Sequence, residues 1–162
     1  MEVKIGNRRL KMIDGKICTV RFSRLGVEVK HGKFTPIKFS DHSKGYNVCK
    51  IFIDGHETWL LEHRLVWKLT HPDWDIFDSS IDNIIDHINR NKKDNSLENL
   101  HVVNQNQNMW NQDAKGYTLR PNGRYKAQIK INGVQICLGV FATEEEAHAA
   151  YLQGKIKYHV IV

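Results

Sequence analysis

Asn132-Gly133 stands between two runs of alternating character, RYKAQIKI (residues 124–131) and VQICLGVF (residues 134–141). Asn and Gly accept the positive φ that a two-residue hairpin turn demands at both central positions, so the pair predicts a tight antiparallel hairpin. The turn also sets the register. Ile131 then pairs with Val134, Gln135 lies beside Lys130, and Ile136 lies beside Ile129. Successive strand residues face opposite sides. Tyr125, Ala127, Ile129 and Ile131 therefore share one face, and Arg124, Lys126, Gln128 and Lys130 share the other. A further strand, YTLR, comes before the turn Pro121-Asn122-Gly123, and a helix follows the hairpin. Thr143 and Glu146 have capping-box spacing and three consecutive Glu suit the N-terminal end of the helix dipole. Ala147, Ala150, Tyr151 and Tyr158 supply the face that covers the sheet.

The polar face of this sheet is cationic without an acid. From Lys115 onward there are seven Lys/Arg against three Glu, and those three lie together at the helix cap. A sheet of this kind can enter a major groove, where Arg and Lys read guanine edges and Gln reads adenine. The whole chain agrees: a formal charge of +6 with nine His favours a polyanionic partner, nucleic acid ahead of an anionic membrane surface. A hydrophobic content of 41% with three Pro in 162 residues indicates a folded chain of one ordinary domain or two small ones. No apolar run approaches the roughly 20 residues that cross a bilayer, and MEVKIGNRRLKM lacks the apolar core of a signal peptide. Cys18, Cys49 and Cys137 are far apart with no C-x-x-C pair, so neither a disulfide framework nor a structural zinc site is expected. An intracellular, reduced setting follows.

The segment GYTLRPNGRYKAQIKINGVQICLGVFATEEEAHAAYLQGKIKYH (residues 116–159) resembles the AP2 DNA-binding domain. The resemblance rests on Gly116-Tyr117, the Y-K-A-Q-I core, L-G-V-F at 138–141 and the T-x-E-E-A-x-x-A-Y run into the helix. It implies a three-stranded antiparallel sheet lying in the major groove with the helix behind it. Arg120, Arg124, Lys126, Gln128 and Lys130 are then the expected DNA contacts.

A second constellation lies upstream. DNIIDHI reads as a strand, a polar loop follows, NLHVV reads as a short strand, and NQNQNMWNQ reads as a helix. Hydrolysis of a phosphodiester needs an activated water, a cation near the leaving oxygen, and a hold on the phosphate. His87 suits the first task, because a neutral imidazole can accept a proton near neutral pH. Asp86 suits the second as an oxygen ligand for a hard cation. Neighbouring strand residues point apart, so both serve one site only if the strand ends or bends there; Asn89-Arg90-Asn91 provides such an ending. Arg90, Lys92 and Lys93 either hold neighbouring phosphates or form a solvated basic loop.

HRLVW at 63–67, then DHINRNKKDNSLENLHVV, then NQNQNM, resembles HNH homing endonucleases of the phage and intron-encoded type. That resemblance implies an α+β chain in which a ββα-metal module is followed by the AP2-like sheet and helix. It makes His87 the general base and Asp86 a metal ligand. Asn99 becomes the residue that pins the loop and orients the base, and Asn108, twenty-one residues after His87, the remaining ligand. Asn104 and Asn111 lie one helical turn to either side and compete for that place. An amide oxygen at Asn108 favours Mg²⁺ or Mn²⁺ over zinc. His101 is expected to be structural or to touch phosphate, and His63 to support the site from the core.

The expected domains are 1–60, a strand region supporting the nuclease; 61–112, the catalytic module; and 113–162, the DNA-binding domain. In the first, KICTVRF and GVEVKHG read as strands, and YNVCKIFIDGHETWLL as a hairpin turning at Asp54-Gly55, before a helix from Glu62 to Leu69 that stops ahead of Pro72. The expected partner is double-stranded DNA, cut by a monomer that nicks one strand. A non-catalytic DNA-binding regulator is the alternative, and it should have lost one of Asp86, His87, Asn99 and Asn108, all of which are present.

Overall fold

Asp14-Gly15, Asp54-Gly55 and Asn132-Gly133 each carry positive φ at both residues (47° and 70°, 49° and 82°, 48° and 85°). This backbone matches the right-handed twist of the flanking strands, and each pair closes an antiparallel hairpin. The structure, a computed structural model, describes residues 2–23 and 27–159. Its chain divides into two units, Met1–Val102 and Val103–Val162. The class is mixed, with several small antiparallel sheets and few helices.

In the first unit β1 (Glu2–Ile5), β2 (Arg8–Ile13), β3 (Lys16–Arg21) and β4 (Thr35–Pro36) form one sheet in that order. A second sheet holds β5 (Ser40–Asp41), β6 (Asn47–Ile53) and β7 (His56–Leu61). Asn7 stitches the two together: its N–H donates to Phe52 O at 2.8 Å and its Oδ1 accepts from Phe52 N at 3.0 Å. α1 (Glu62–Thr70) follows at once, and then β8 (Ile84–His87) and β9 (Leu100–Val103), which pair as a two-stranded sheet. One apolar cluster unites these pieces, joining Ile5, Leu10 and Ile17 of the first sheet to Ile51, Leu65, Leu69, Ile85 and Leu100. The N-terminal strands and the hairpin thus share a core.

Two expectations change here. GVEVKHG was expected to be a strand; within its described residues Glu28 makes a single bridge to Phe22, and Val29–Gly32 is a 3₁₀ turn. β4 occupies the edge of β3 at Cys18 and Thr19 (opposite Pro36 and Thr35), so this segment pairs with the chain beyond β3 only through the Phe22–Glu28 bridge. The strand expected over DNIIDHI shortens to Ile84–His87 because Asn83 is used otherwise. Asn83 is buried, accepts from Trp74 Nε1, and donates to the carbonyls of Asp75 (3.2 Å) and Asp78 (3.1 Å). Arg64 reaches the same connection from α1, donating to Ile76 O and Asp78 O while lying over the Trp74 ring. These contacts fix the long link between α1 and β8.

The second unit begins with α2 (Gln105–Trp110), which has a capping box of Asn104 and Gln107. The box explains how so Asn-rich a segment starts a helix: Asn caps well although it propagates poorly. β10 (Tyr117–Leu119), β11 (Tyr125–Ile131) and β12 (Val134–Phe141) form an antiparallel sheet in chain order, covered by α3 (Glu144–Tyr158). Register is as expected at the turn, with Ile131 opposite Val134, Lys130 opposite Gln135 and Ile129 opposite Ile136. Beyond it a bulge gives β12 one extra residue, Leu138, so Gln128 faces Cys137 and Ala127 faces Gly139. Thr143 and Glu146 make the capping box, and Ala147 and Tyr151 are buried. Gly154 joins them where the sequence suggested Ala150 and Tyr158, because the Leu138 side chain fills the space against it. Among the described residues no helix is long and apolar enough to cross a membrane.

Gly116 (φ +73°) marks the tightest approach in this unit, since a Cβ there would fall 1.8 Å from Tyr151 Cγ. Gly123 (φ +76°) has the same conformation with open space around it. Gly116→Ala should therefore destabilise the protein by about 2–4 kcal/mol and Gly123→Ala by only about 1 kcal/mol. Urea denaturation followed by circular dichroism checks the difference.

Candidate active site

β8 alternates as a half-covered strand must: Ile85 and His87 are buried, Ile84 and Asp86 are partly exposed. Asp86 and His87 thus leave the strand on opposite faces, and the strand ends at His87 itself. Arg90 N bonds back to His87 O at 2.8 Å, with Arg90 at a φ of 63°. On its own face Asp86 meets β9, with Oδ2 3.2 Å from His101 Nε2.

His87, only 3% exposed, faces inward to a hydrogen-bond network. Its Nε2 lies 2.9 Å from Asn95 Oδ1, and Asn95 Nδ2 donates to Glu62 Oε2 at 2.7 Å. The same carboxylate oxygen accepts from Asn47 Nδ2 at 2.6 Å, and Asn47 Oδ1 accepts from Lys93 Nζ at 2.6 Å. Lys93 also pairs with Asp41. The directions follow from chemistry: a carboxylate only accepts, so both Asn residues must present NH₂ to Glu62. That leaves Asn95 Oδ1 as the acceptor, so His87 Nε2 carries the proton. In the neutral ring the lone pair then resides on Nδ1.

Asn99 closes the loop between the two strands. It is buried, its Oδ1 accepts from Asn89 N at 2.9 Å, its Nδ2 donates to Asp94 O at 2.7 Å, and its carbonyl accepts from Ile88 N at 2.9 Å. Asp94 accepts from the Ser96 hydroxyl and backbone and from Asn89, which together hold its carboxyl below the usual range. Lys92 lies over the Tyr46 ring, 4.7 Å from its centroid, and donates to Lys44 O. Loop residues 89–96 are thereby fastened at both ends.

Behind His87 stand two more rings. His63, on α1, meets it edge-on at a centroid distance of 5.0 Å, and Tyr46 lies 5.3 Å from His63 and 6.1 Å from His87. Burial, followed by the charges of His87 and Arg64, pulls His63 down to about 3. It is a neutral wall of the site.

The structure thus brings Asp86, His87 and Asn99 into one hairpin, with His101 beside Asp86. Asn108 sits in the second unit, half-buried on α2, where its N–H bonds to Asn104 O at 2.9 Å. Lys126, Gln128 and Lys130 share the outward face of β11, with Thr118 and Val140 flanking Lys126 and Gln135 opposite Lys130. Arg124 and Arg120 close the exposed turn before it, joined by an Arg120 N to Arg124 O bond of 2.8 Å. Sequence reasoning missed Glu62, Asn95, Asn47 and Tyr46. An Asn inside an Asn-rich loop carries no local signal of its role, and a Glu at a helix start reads as a dipole partner.

A buried histidine on a hairpin, held by an amide and a carboxylate, has the equipment of a general base. Residues 61–110 match the family model of the HNH endonucleases, which supports an HNH nuclease module that acts on DNA. No curated protein and no solved structure matches the chain. HNH nucleases use divalent metal ions, and the donor chemistry here fits one: Asp86 offers a hard carboxylate oxygen on the partly exposed face of β8. Among the described residues no group of three or more His, Cys, Asp or Glu is gathered.

His63 makes stability depend on pH. Its folded value lies below its unfolded one, so the unfolded state binds the extra proton between about 6.5 and about 3. The stabilisation is complete above 6.5 and is lost on acidification, at about 1.4 kcal/mol per pH unit. His63→Phe should flatten the decline of melting temperature between neutral and mildly acidic pH, and an unchanged decline would refute it.

Proposed function

We propose that this chain is a site-specific, metal-dependent DNA endonuclease of the homing type, acting as a monomer that nicks one strand. In this reading the hairpin and α2 form a ββα-metal module, and the second unit is an AP2-like reader of the major groove. One observation carries the proposal: within the HNH-matched residues, His87 is held through Nε2 by Asn95 and Glu62.

The chemistry then runs through Nδ1. His87 takes a proton from the attacking water there, and the amide-linked Glu62 carboxylate favours the imidazolium that results. Because His87 is buried, the water reaches it through an opening that DNA binding supplies. Asp86 and Asn108 are the oxygen donors that would hold Mg²⁺ or Mn²⁺, and when bound the cation stabilises charge on the leaving 3′ oxygen. Asn99 keeps the loop closed, and Arg90 is the loop's contact to a flanking phosphate; Lys92 and Lys93, expected to join it, are instead engaged with Tyr46 and Lys44 O and with Asn47 and Asp41. Arg120, Arg124, Lys126, Gln128 and Lys130 supply address and affinity.

Nicking of supercoiled target DNA with Mg²⁺ or Mn²⁺ tests this. His87→Ala should lower the rate by about 10²–10⁴-fold, and Asn95→Ala by about 10–100-fold with a shifted pH profile. Tight binding without cleavage under every divalent cation tried would leave a DNA-binding regulator instead. Lys126→Ala and Lys130→Ala should each reduce the slope of log affinity against log salt by about 0.9.

A further inference from the structure

The two faces of the N-terminal sheet treat their cations differently. On one face Arg9 and Lys11 are neutralised: Arg9 lies 3.4 Å from Glu2 and 2.8 Å from Glu28, and Lys11 lies 3.6 Å from Glu2. On the other face Arg8 and Arg21 are direct cross-strand partners. Like charges placed opposite one another repel. Thr19 opposite Thr35 continues the same face, with Lys33 two residues before Thr35. Among the described residues no carboxylate pairs with Arg8, Arg21, Lys33 or Lys38, and all four line a cavity of about 340 Å³ with Thr19 and Thr35. Its described lining contains no acid.

Arg8 makes this a built site rather than loose surface charge. It is only 8% exposed, and Nη2 donates to Lys50 O on β6, which holds the guanidinium in place. Burial holds its pKa below the usual value, and Arg21 pushes in the same direction. A desolvated guanidinium beside a second one is a strong attractor for an anion with several acceptor oxygens. Thr19 and Thr35 complete the lining, their hydroxyls donating to Val20 O (3.3 Å) and Thr19 O (3.5 Å).

We infer that Arg8, Arg21, Lys33 and Lys38, with Thr19 and Thr35, form a phosphate-binding pocket that takes a backbone phosphate of the duplex DNA held by the first unit. This rests on the DNA reading above and deepens it, by adding a non-catalytic phosphate clamp. The sheet bearing the pocket shares its apolar core with α1 and β8, so a phosphate held there positions the duplex rigidly relative to His87.

The test is equilibrium binding of the full chain to labelled duplex, without a divalent cation, between about 50 and 200 mM salt. Arg8 is left intact because of its structural bond; the variants are Arg21→Gln with Lys33→Gln, and Lys38→Gln alone. The double variant should bind about tenfold more weakly at the lower salt, with a log–log slope reduced by about 1.8. Its melting temperature should not fall, because the Arg8–Arg21 repulsion is gone. Unchanged affinity and slope in these variants, with wild type binding normally, would overturn the pocket alone. Failure of wild type to bind duplex would overturn the nuclease reading and the pocket with it. An inorganic phosphate arm separates the sources: if phosphate raises the wild-type melting temperature while the DNA slopes of all variants match wild type, the ligand is free phosphate and the DNA assignment fails.

Discussion

The Glu62 carboxylate holds together segments that the chain keeps far apart. One oxygen accepts from Asn47 on β6 and from Asn95 in the loop after β8. Glu62 itself occupies the first turn of α1, where the helix dipole favours a negative charge. The anion is thus stabilised by its helix and by two amides at once, and each amide passes a defined orientation onward. Asn47 turns its oxygen to Lys93, and Asn95 turns its oxygen to His87. Remove the carboxylate and neither amide has a reason to keep its direction, so the imidazole loses its assigned tautomer.

That network can be exacting because the ground beneath it is rigid. The first sheet, α1 and the hairpin bury one apolar cluster, in which Leu10, Ile51 and Leu65 are fully enclosed. Asn99 then fastens the loop over this base with three hydrogen bonds. In the second unit rigidity comes from a different source, the tight seat of Gly116 under Tyr151 and the bulge at Leu138. The bulge keeps Leu138 directed at α3 while Lys126, Gln128 and Lys130 stay on the opposite face.

Turn chemistry and capping were readable from local residues. The hairpins at Asp54-Gly55 and Asn132-Gly133, α1, α2 and the Thr143–Glu146 cap all lie where their residues predicted. The hairpin at Asp14-Gly15 carries the same signal, yet its partner strand RRLKMI lacks the clean alternation that would announce it. GVEVKHG looks β-prone, yet β4 already occupies the adjacent edge at Cys18 and Thr19 and only Glu28 pairs, a fact about neighbours rather than composition. At the site, the Asp86-His87 pair and Asn99 stand out because their spacing is a motif. Asn95 sits in a run of polar residues where any of them could turn toward the imidazole, and Asn47 and Tyr46 arrive from another sheet.

By itself the sequence determined what depends on residues close along the chain: where strands turn, where helices begin, which strand face is cationic, and which histidine ends a strand beside a carboxylate. Short-range sterics and hydrogen bonding decide these matters within a few residues. Tertiary structure decided the rest. Which amide holds His87, why His63 stays neutral, and why Arg8 and Arg21 meet across two strands all depend on groups brought together from distant positions and shielded from water. Desolvation and partner geometry exist only once the core has closed, because in the unfolded chain water satisfies every one of these groups equally well.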